Sequence, residues 1–222
     1  MIGTDSMSNP YMPLESSVKY TRRALELIKK CGCGAALLTK SNRVLEDIDL
    51  LKSINDSTKC VVQMTLTTYD DNLCSILEPN VCNTSERFKA LQELNEAGIS
   101  TVVWLCPILP FINDTKENIL GILDYCSRAK VKGVICFGMG VTLREGNREY
   151  FYNKLDEYFP GMKEQYILRY CDAYMLESPI SHELMQIFHS TCEKEGIMHD
   201  NNAIFRYLNK FETNGSKQIS WF

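Results

Sequence analysis

The sequence lacks any long apolar run. No stretch of its 222 residues stays apolar over about 18 positions, the length that a membrane-spanning helix needs. The first residues also lack the pattern of a secretory signal peptide. These absences predict a soluble, cytoplasmic protein with no membrane partner.

Concentrated positive charge is missing as well. The chain has 24 Lys and Arg residues against 28 Asp and Glu residues, a net charge of −4, and the cations are mixed with the anions along the chain. Proteins that bind nucleic acid without sequence preference gather Lys and Arg on one surface. The charge pattern therefore gives no support to that function.

Several motifs with firm spacing are absent. No predicted strand is followed by G-x-G-x-x-G, and the chain contains neither a P-loop nor a G-x-S-x-G nucleophile elbow. Gly138-Met139-Gly140 is too short to identify a phosphate-binding loop. These absences argue against Rossmann, P-loop and α/β-hydrolase proteins.

Cysteine is plentiful, but its spacing is uninformative. The ten cysteines include no C-x-x-C pair, and the one close pair, Cys31 and Cys33, is expected to be structural. Only three histidines are present; His189 and Cys192 could share a helix face, but no further ligand is in view. We therefore predict no metal site from the residues alone.

Short apolar runs rich in Val, Ile and Leu predict buried parallel strands. They span residues 35–38, 61–66, 101–106 and 133–137, and Met1-Ile2 could be the stub of another strand. Apolar residues at helical spacing alternate with these runs; the helices are expected around residues 18–30, 44–51, 88–98, 119–126, 145–158 and 181–195. Asp114 or Thr115 is the expected N-cap of the fourth helix. The alternation predicts an α/β fold, either an incomplete barrel or an open sheet.

Polar residues follow the predicted strands, at the edge where parallel α/β folds place their chemistry. The candidates for a binding site are Ser6, Ser8, Asn9, Lys40, Ser41, Thr65, Thr67, Pro107, Asn113, Asp114 and Arg144. Hydroxyl and amide groups suit a ligand with ribose hydroxyls and an amino-acid head group, and Lys40 or Arg144 would suit its carboxylate. The alternative is that such loops are polar in every protein of this class.

Several segments resemble the spore photoproduct lyase-like group of radical S-adenosylmethionine (SAM) proteins. They are TLTTYDDNLCSILEP (65–79), RFKALQELNEAGI (87–99), PILPFINDT (107–115), SMSNPYMPLE (6–15), TKS (39–41) and GMGVTLREGNREYFY (138–152). Their order matches the family, and the resemblance runs to about Phe211. Asn9 stands where the family usually has Asp, which removes a negative charge.

The resemblance implies a partial (β/α)6 TIM-like barrel that lacks its first βα unit. Residues 1–211 would form this truncated core, and residues 212–222 a polar tail. In the intact family, a 4Fe–4S cluster and an electron donor reduce S-adenosylmethionine to a 5′-deoxyadenosyl radical that attacks a substrate. Only the resemblance suggests nucleic acid as a partner.

The resemblance also suggests roles for the site residues. Ser6, Ser8 and Asn9 would face the amino group of S-adenosylmethionine, and Thr65 and Thr67 its ribose. Pro107, Asn113 and Asp114 would lie near the adenine, with Lys40, Ser41 and Arg144 on the carboxylate or substrate side. No catalytic residue or hydrogen donor is identified.

The family's three cluster ligands form a C-x₃-C-x₂-C loop after the first strand, and none of the ten cysteines has this spacing. We therefore expect the chain to begin after that loop, through a mis-assigned start, a trimmed boundary or a real truncation. Alone it is expected to be inactive in radical chemistry. The alternatives are a cluster-free module that binds a nucleoside-like or other polar molecule, and a non-functional fragment.

Overall fold

A computed structural model describes residues 1–4 and 9–211 of the chain. Within these ranges, a five-stranded parallel sheet has the order β1-β2-β3-β4-β5, the order of the strands along the chain. The strands are β1 (Ile2–Gly3), β2 (Ala35–Thr39), β3 (Cys60–Thr65), β4 (Ser100–Trp104) and β5 (Gly133–Ile135). The fold is α/β and corresponds to a partial TIM-like barrel, as the sequence predicts.

Helices connect the strands. They are α1 (Glu15–Val18), α2 (Tyr20–Lys30), α3 (Ile48–Ser57), α4 (Asp71–Leu77), α5 (Thr84–Glu96), α6 (Lys116–Arg128), α7 (Asn147–Tyr158), α8 (Met162–Tyr170), α9 (Ser181–Glu195) and α10 (Asn201–Asn209). A 3-10 helix, Asn42–Asp47, precedes α3. Thr115 caps α6 by accepting a hydrogen bond from the backbone N–H of Asn118, which confirms one of the two expected caps.

The two faces of the sheet are covered differently. Leu37, Val62 and Val103 belong to the main core, together with apolar residues of α2, α3, α5, α6 and α9. Val61 and Val102 belong to a second core with Ile204 and Leu208 of α10. Because consecutive strand residues point to opposite faces, these alternating positions place α10 on the face away from the main core, which in a partial barrel is the inner, concave face.

Both ends of α10 are tied to the sheet. The Asn201 side chain donates to the carbonyl of Cys136 at 2.7 Å and accepts from its N–H at 3.3 Å. At the other end, the Lys59 ammonium donates to the Tyr207 carbonyl at 2.6 Å. Just before α10, Met198 forms a parallel bridge with Gly133, the first residue of β5.

A smaller unit follows β5. Strands β6 (Gly140–Thr142) and β7 (Met175–Glu177) pair antiparallel, and with α7 and α8 they enclose a third core that includes Leu155, Tyr166 and Leu176. A Cβ atom at Gly140 would lie 2.5 Å from the Leu176 carbonyl oxygen, so the close approach of these strands requires glycine there. Along residues 1–4 and 9–211, no helix is long and apolar enough to cross a membrane.

Candidate functional site

The candidate site is the carboxyl edge of the sheet, where the segments that follow β1 to β5 meet. Thr39 pairs with Met64, Thr65 with Trp104, and Trp104 with Ile135, so the last residues of β2 to β5 are in register to within one residue. Side chains just beyond these residues therefore lie along one edge, the usual location of binding sites in parallel α/β folds.

Asn9 and Ser41 join the ends of β1 and β2. The Thr39 hydroxyl donates to Asn9 Oδ1 at 2.7 Å and accepts from the Ser41 N–H at 3.0 Å. Asn9 Oδ1 also accepts from the N–H of Tyr11 at 3.1 Å, and Ser41 Oγ accepts from the N–H of Arg43 at 3.3 Å. Both side chains thus hold the local backbone. The predicted residues Ser6 and Ser8 lie outside the described residues.

Lys40, at the end of β2, belongs to a charged trio with Glu78 and Arg87. The Lys40 ammonium pairs with one carboxylate oxygen of Glu78, and the other oxygen lies 2.7 Å from Arg87 Nη1. The side chains are 38%, 12% and 0% exposed for Lys40, Glu78 and Arg87, respectively. Burial alone would raise the pKa of Glu78, but the charges and hydrogen bonds of Lys40 and Arg87 lower it below its ordinary value. Glu78 is therefore held as an anion, and Lys40 is the member of the trio that solvent reaches.

Sequence reasoning missed Glu78 and Arg87. Arg87 lies in the first turn of α5, a position that normally reads as solvent-exposed, but it is fully buried. Its Nε donates to the Cys82 carbonyl at 2.8 Å and its Nη1 to the Thr65 carbonyl at 3.0 Å. A buried cation needs such partners. They are brought together only in the tertiary structure, so no local sequence pattern predicts the ion pair.

Asn113 and Thr67 belong to a buried network of amides. The Asn113 side chain donates to the Thr67 carbonyl at 3.0 Å and to Thr68 Oγ1 at 3.1 Å, and accepts from the Leu109 N–H at 2.6 Å. Asn118 donates to the same Thr67 carbonyl at 2.9 Å. The Asn113 side chain thereby uses its polar atoms within the protein and shapes the loops after β3 and β4.

The remaining predicted residues are scattered around this edge. Asp114 is buried and accepts a hydrogen bond from the Ser178 hydroxyl at 2.6 Å, while burial raises the pKa of its carboxyl group. Pro107 is exposed and follows a cis peptide bond with Cys106. Arg144 is exposed and lies beyond β6, in the smaller unit. Thr65 is buried at the end of β3, where its carbonyl binds Arg87.

Three aromatic rings cluster on the concave face at this edge. The Trp104 ring centroid lies 5.9 Å from that of Phe137 and 6.1 Å from that of Phe205 in α10. Trp104 Nε1 donates to Gln63 Oε1 at 2.9 Å, which fixes the indole. Phe137 is 62% exposed, an unusual position for so large an apolar ring. An exposed ring in such a cluster can stack against a planar ligand.

The thiols near the edge do not form a metal site. Burial and the neighbouring Cys136 raise the pKa of Cys106 to about 11, although the charge of Lys40 acts in the opposite direction. Cys106 is therefore a neutral thiol at physiological pH. Among residues 1–4 and 9–211, no three His, Cys, Asp or Glu side chains are placed to hold a metal ion. These residues do not fit a 4Fe–4S cluster, which needs three thiolate ligands.

Known proteins resemble parts of this chain. No protein-family model matches it. An uncharacterised protein of Methanocaldococcus jannaschii is 35% identical over 116 residues, 52% of this chain and 43% of that protein. The chain spans about half the length of the curated relatives it matches.

Solved structures are similar in fold. A domain of pyruvate-formate lyase-activating enzyme from Bacteroides vulgatus superposes with a TM-score of 0.53 at 13% identity, over 82% of this chain and 91% of that domain. A radical SAM methyltransferase from Sphaerobacter thermophilus gives a TM-score of 0.49 at 14% identity, over 84% of this chain and 47% of the methyltransferase. The first of these superpositions shows that the chain shares the fold of the activating-enzyme domain.

Proposed function

We propose that this chain is a radical SAM protein of the spore photoproduct lyase-like group and that its carboxyl edge binds S-adenosylmethionine. The observation that carries the proposal is the presence, at one edge of the sheet, of both the partly exposed side chain of Lys40 and the exposed ring of Phe137. A ligand with a carboxylate at one end and a planar base at the other requires these two kinds of contact.

Within this proposal, the other residues of the edge act mainly through the backbone. Lys40 binds the ligand's carboxylate, while the aromatic cluster of Trp104, Phe137 and Phe205 receives the adenine. Asn9, Ser41 and Asn113 hold the loops that surround the ligand, as their internal hydrogen bonds suggest.

The proposal does not extend to radical chemistry by this chain alone. That chemistry depends on electrons from a 4Fe–4S cluster, and the described residues supply no set of three thiolates for it. We therefore assign no catalytic residue and no reaction step. Anaerobic reconstitution of the chain with iron and sulfide should yield no stable 4Fe–4S species by Mössbauer spectroscopy. A stoichiometric cluster that supports cleavage of S-adenosylmethionine would overturn this part.

Calorimetry tests the binding proposal. S-adenosylmethionine titrated into the cluster-free chain should give saturable binding, and Lys40→Met should weaken it by roughly tenfold because one charged hydrogen bond is lost. Lys163→Met is the matched control, since Lys163 also pairs with one carboxylate, that of Asp156, but within helices α7 and α8 and not with the Lys40 trio. No heat with the wild-type chain, or equal affinity for the two variants, would refute the proposal.

A second candidate is a cluster-free module that binds a nucleoside-like molecule without an amino-acid group. The exposed ring of Phe137 is the observation that favours it, because stacking alone needs no carboxylate. Titration with 5′-methylthioadenosine separates the two. Binding of this compound as tight as that of S-adenosylmethionine, with no effect of Lys40→Met on either, would favour the second candidate.

A further inference from the structure

The trio of Lys40, Glu78 and Arg87 carries one uncompensated positive charge. Two of its members are cations, and Glu78, whose pKa is lowered, is the anion between them. Arg87 is fully buried and Glu78 nearly so, which leaves Lys40 as the member that a ligand can reach. A site with this charge favours a singly charged anion over a neutral or cationic group.

Glu78 is not a mobile surface partner of Lys40. Arg87 holds one of its carboxylate oxygens at 2.7 Å and is itself fixed by the carbonyls of Thr65 and Cys82. Arg87 therefore links Glu78 to the end of β3 and fixes its position. The second carboxylate oxygen of Glu78 is a fixed hydrogen-bond acceptor for Lys40.

The segment between α4 and α5 also holds the backbone of Lys40. The Cys82 thiol donates to the Lys40 carbonyl at 3.2 Å and accepts from the N–H of Asn42 at 3.3 Å. Lys40 is thus held at both ends, its backbone by Cys82 and its ammonium by Glu78. A free lysine side chain would lose rotamer freedom on binding a ligand, whereas a side chain that is already held loses less.

We infer that Glu78 and Arg87 are positioning residues that hold the Lys40 ammonium ready to receive a carboxylate of the ligand. The inference rests on the proposed function for the identity of that ligand. Neither Glu78 nor Arg87 contacts the ligand in this account. Both act through Lys40, whose side chain is 38% exposed.

The sign of one change in affinity tests the inference. Glu78→Gln raises the charge of the trio, so electrostatics alone would tighten binding of an anion. Loss of positioning acts in the opposite direction and should weaken the binding of S-adenosylmethionine roughly 2- to 10-fold. Tighter binding by Glu78→Gln would show that Glu78 merely competes with the ligand for Lys40, and would overturn the inference.

A double-mutant cycle excludes a general structural effect. In a Lys40→Met background, Glu78→Gln should change the affinity by less than about twofold, because nothing is left to position. An equal loss in both backgrounds would mean that Glu78 acts on the whole site, which refutes the inference. Glu86→Gln is the matched control, since Glu86 caps the same segment through the N–H of Asn83 and does not pair with Lys40.

A measurement on the ligand-free wild-type chain covers the case in which Glu78→Gln does not fold. NMR order parameters of the lysine ammonium groups should show Lys40 to be more rigid than Lys154, which pairs with the exposed Glu157. Equal mobility of the two groups would refute positioning even if S-adenosylmethionine binds. Absence of ligand binding with a rigid Lys40 would instead refute the proposed function and leave the positioning intact.

Discussion

The ammonium of Lys59 lies 2.6 Å from the Tyr207 carbonyl, 148 positions later in the chain, and 3.7 Å from the centroid of the same residue's ring. Lys59 immediately precedes β3, and Tyr207 lies in the last turn of α10. A cation at that end of a helix interacts favourably with the terminal carbonyls and with the helix dipole. The contact therefore holds α10 on the concave face.

Loss of this contact should destabilise the fold. Lys59→Met is expected to lower the free energy of unfolding by about 1–3 kcal/mol, because a buried hydrogen bond from a charged group disappears. Urea unfolding followed by circular dichroism measures the change. Lys52→Met, at an exposed position on α3, is the control and should be close to neutral. A neutral Lys59→Met would show that α10 is held by its apolar contacts alone.

Asn113 should matter for stability more than for ligand contact. Asn113→Ala leaves the N–H of Leu109 without its partner and removes one donor from the Thr67 carbonyl, so the free energy of unfolding should fall by about 2–3 kcal/mol. Unfolding curves of this variant and of the exposed Asn147→Ala give the comparison. If Asn113→Ala keeps full stability but loses ligand binding, then Asn113 contacts the ligand directly.

Asp114 gives the fold a defined pH dependence. Burial raises the pKa of its carboxyl group above the ordinary value of 3.8, so above that pH the unfolded chain ionises more readily than the folded chain. The contribution of Asp114 to stability therefore falls as the pH rises from 3.8 through the raised pKa. Asp114→Asn should gain stability relative to the wild type over the same interval. Paired unfolding curves across this range, with Asp124→Asn as control, measure it; a relative gain that shrinks with rising pH would contradict the assignment.

Phe137 separates binding from stability. Because its ring is 62% exposed, Phe137→Ala should leave the free energy of unfolding nearly unchanged. Loss of base stacking should weaken the binding of S-adenosylmethionine by about 1 kcal/mol or more, roughly fivefold at least. Calorimetry on this variant and on Leu168→Ala, an exposed apolar control on α8, decides the point. Unchanged affinity would remove the aromatic cluster from the site.

The strands could be predicted because a parallel strand covered on both faces leaves a continuous apolar run, as Val61, Val62 and Val102, Val103 do. Helix α10 was missed because its sequence, NNAIFRYLN, is short and buries only Ile204 and Leu208. The helix α4, which ends just before Glu78, was missed for the same reason: of its residues only Cys74 is buried.

The site was only partly predictable. The rule that binding residues follow the ends of parallel strands identified Lys40. It could not distinguish a side chain that is available to a ligand from one whose hydrogen bonds are already made within the protein, such as Asn113. It also could not find Arg87, because the partners of Arg87 come from the end of β3 and from the segment between α4 and α5. The roles of both Asn113 and Arg87 depend on hydrogen-bond partners that are distant in sequence.

A crystal structure of the chain with S-adenosylmethionine is the most direct test of the account. We predict the ligand at the carboxyl edge, with its carboxylate on the Lys40 ammonium while Glu78 still bridges Lys40 and Arg87. A ligand bound elsewhere, or at this edge with its carboxylate turned away from Lys40, would contradict it.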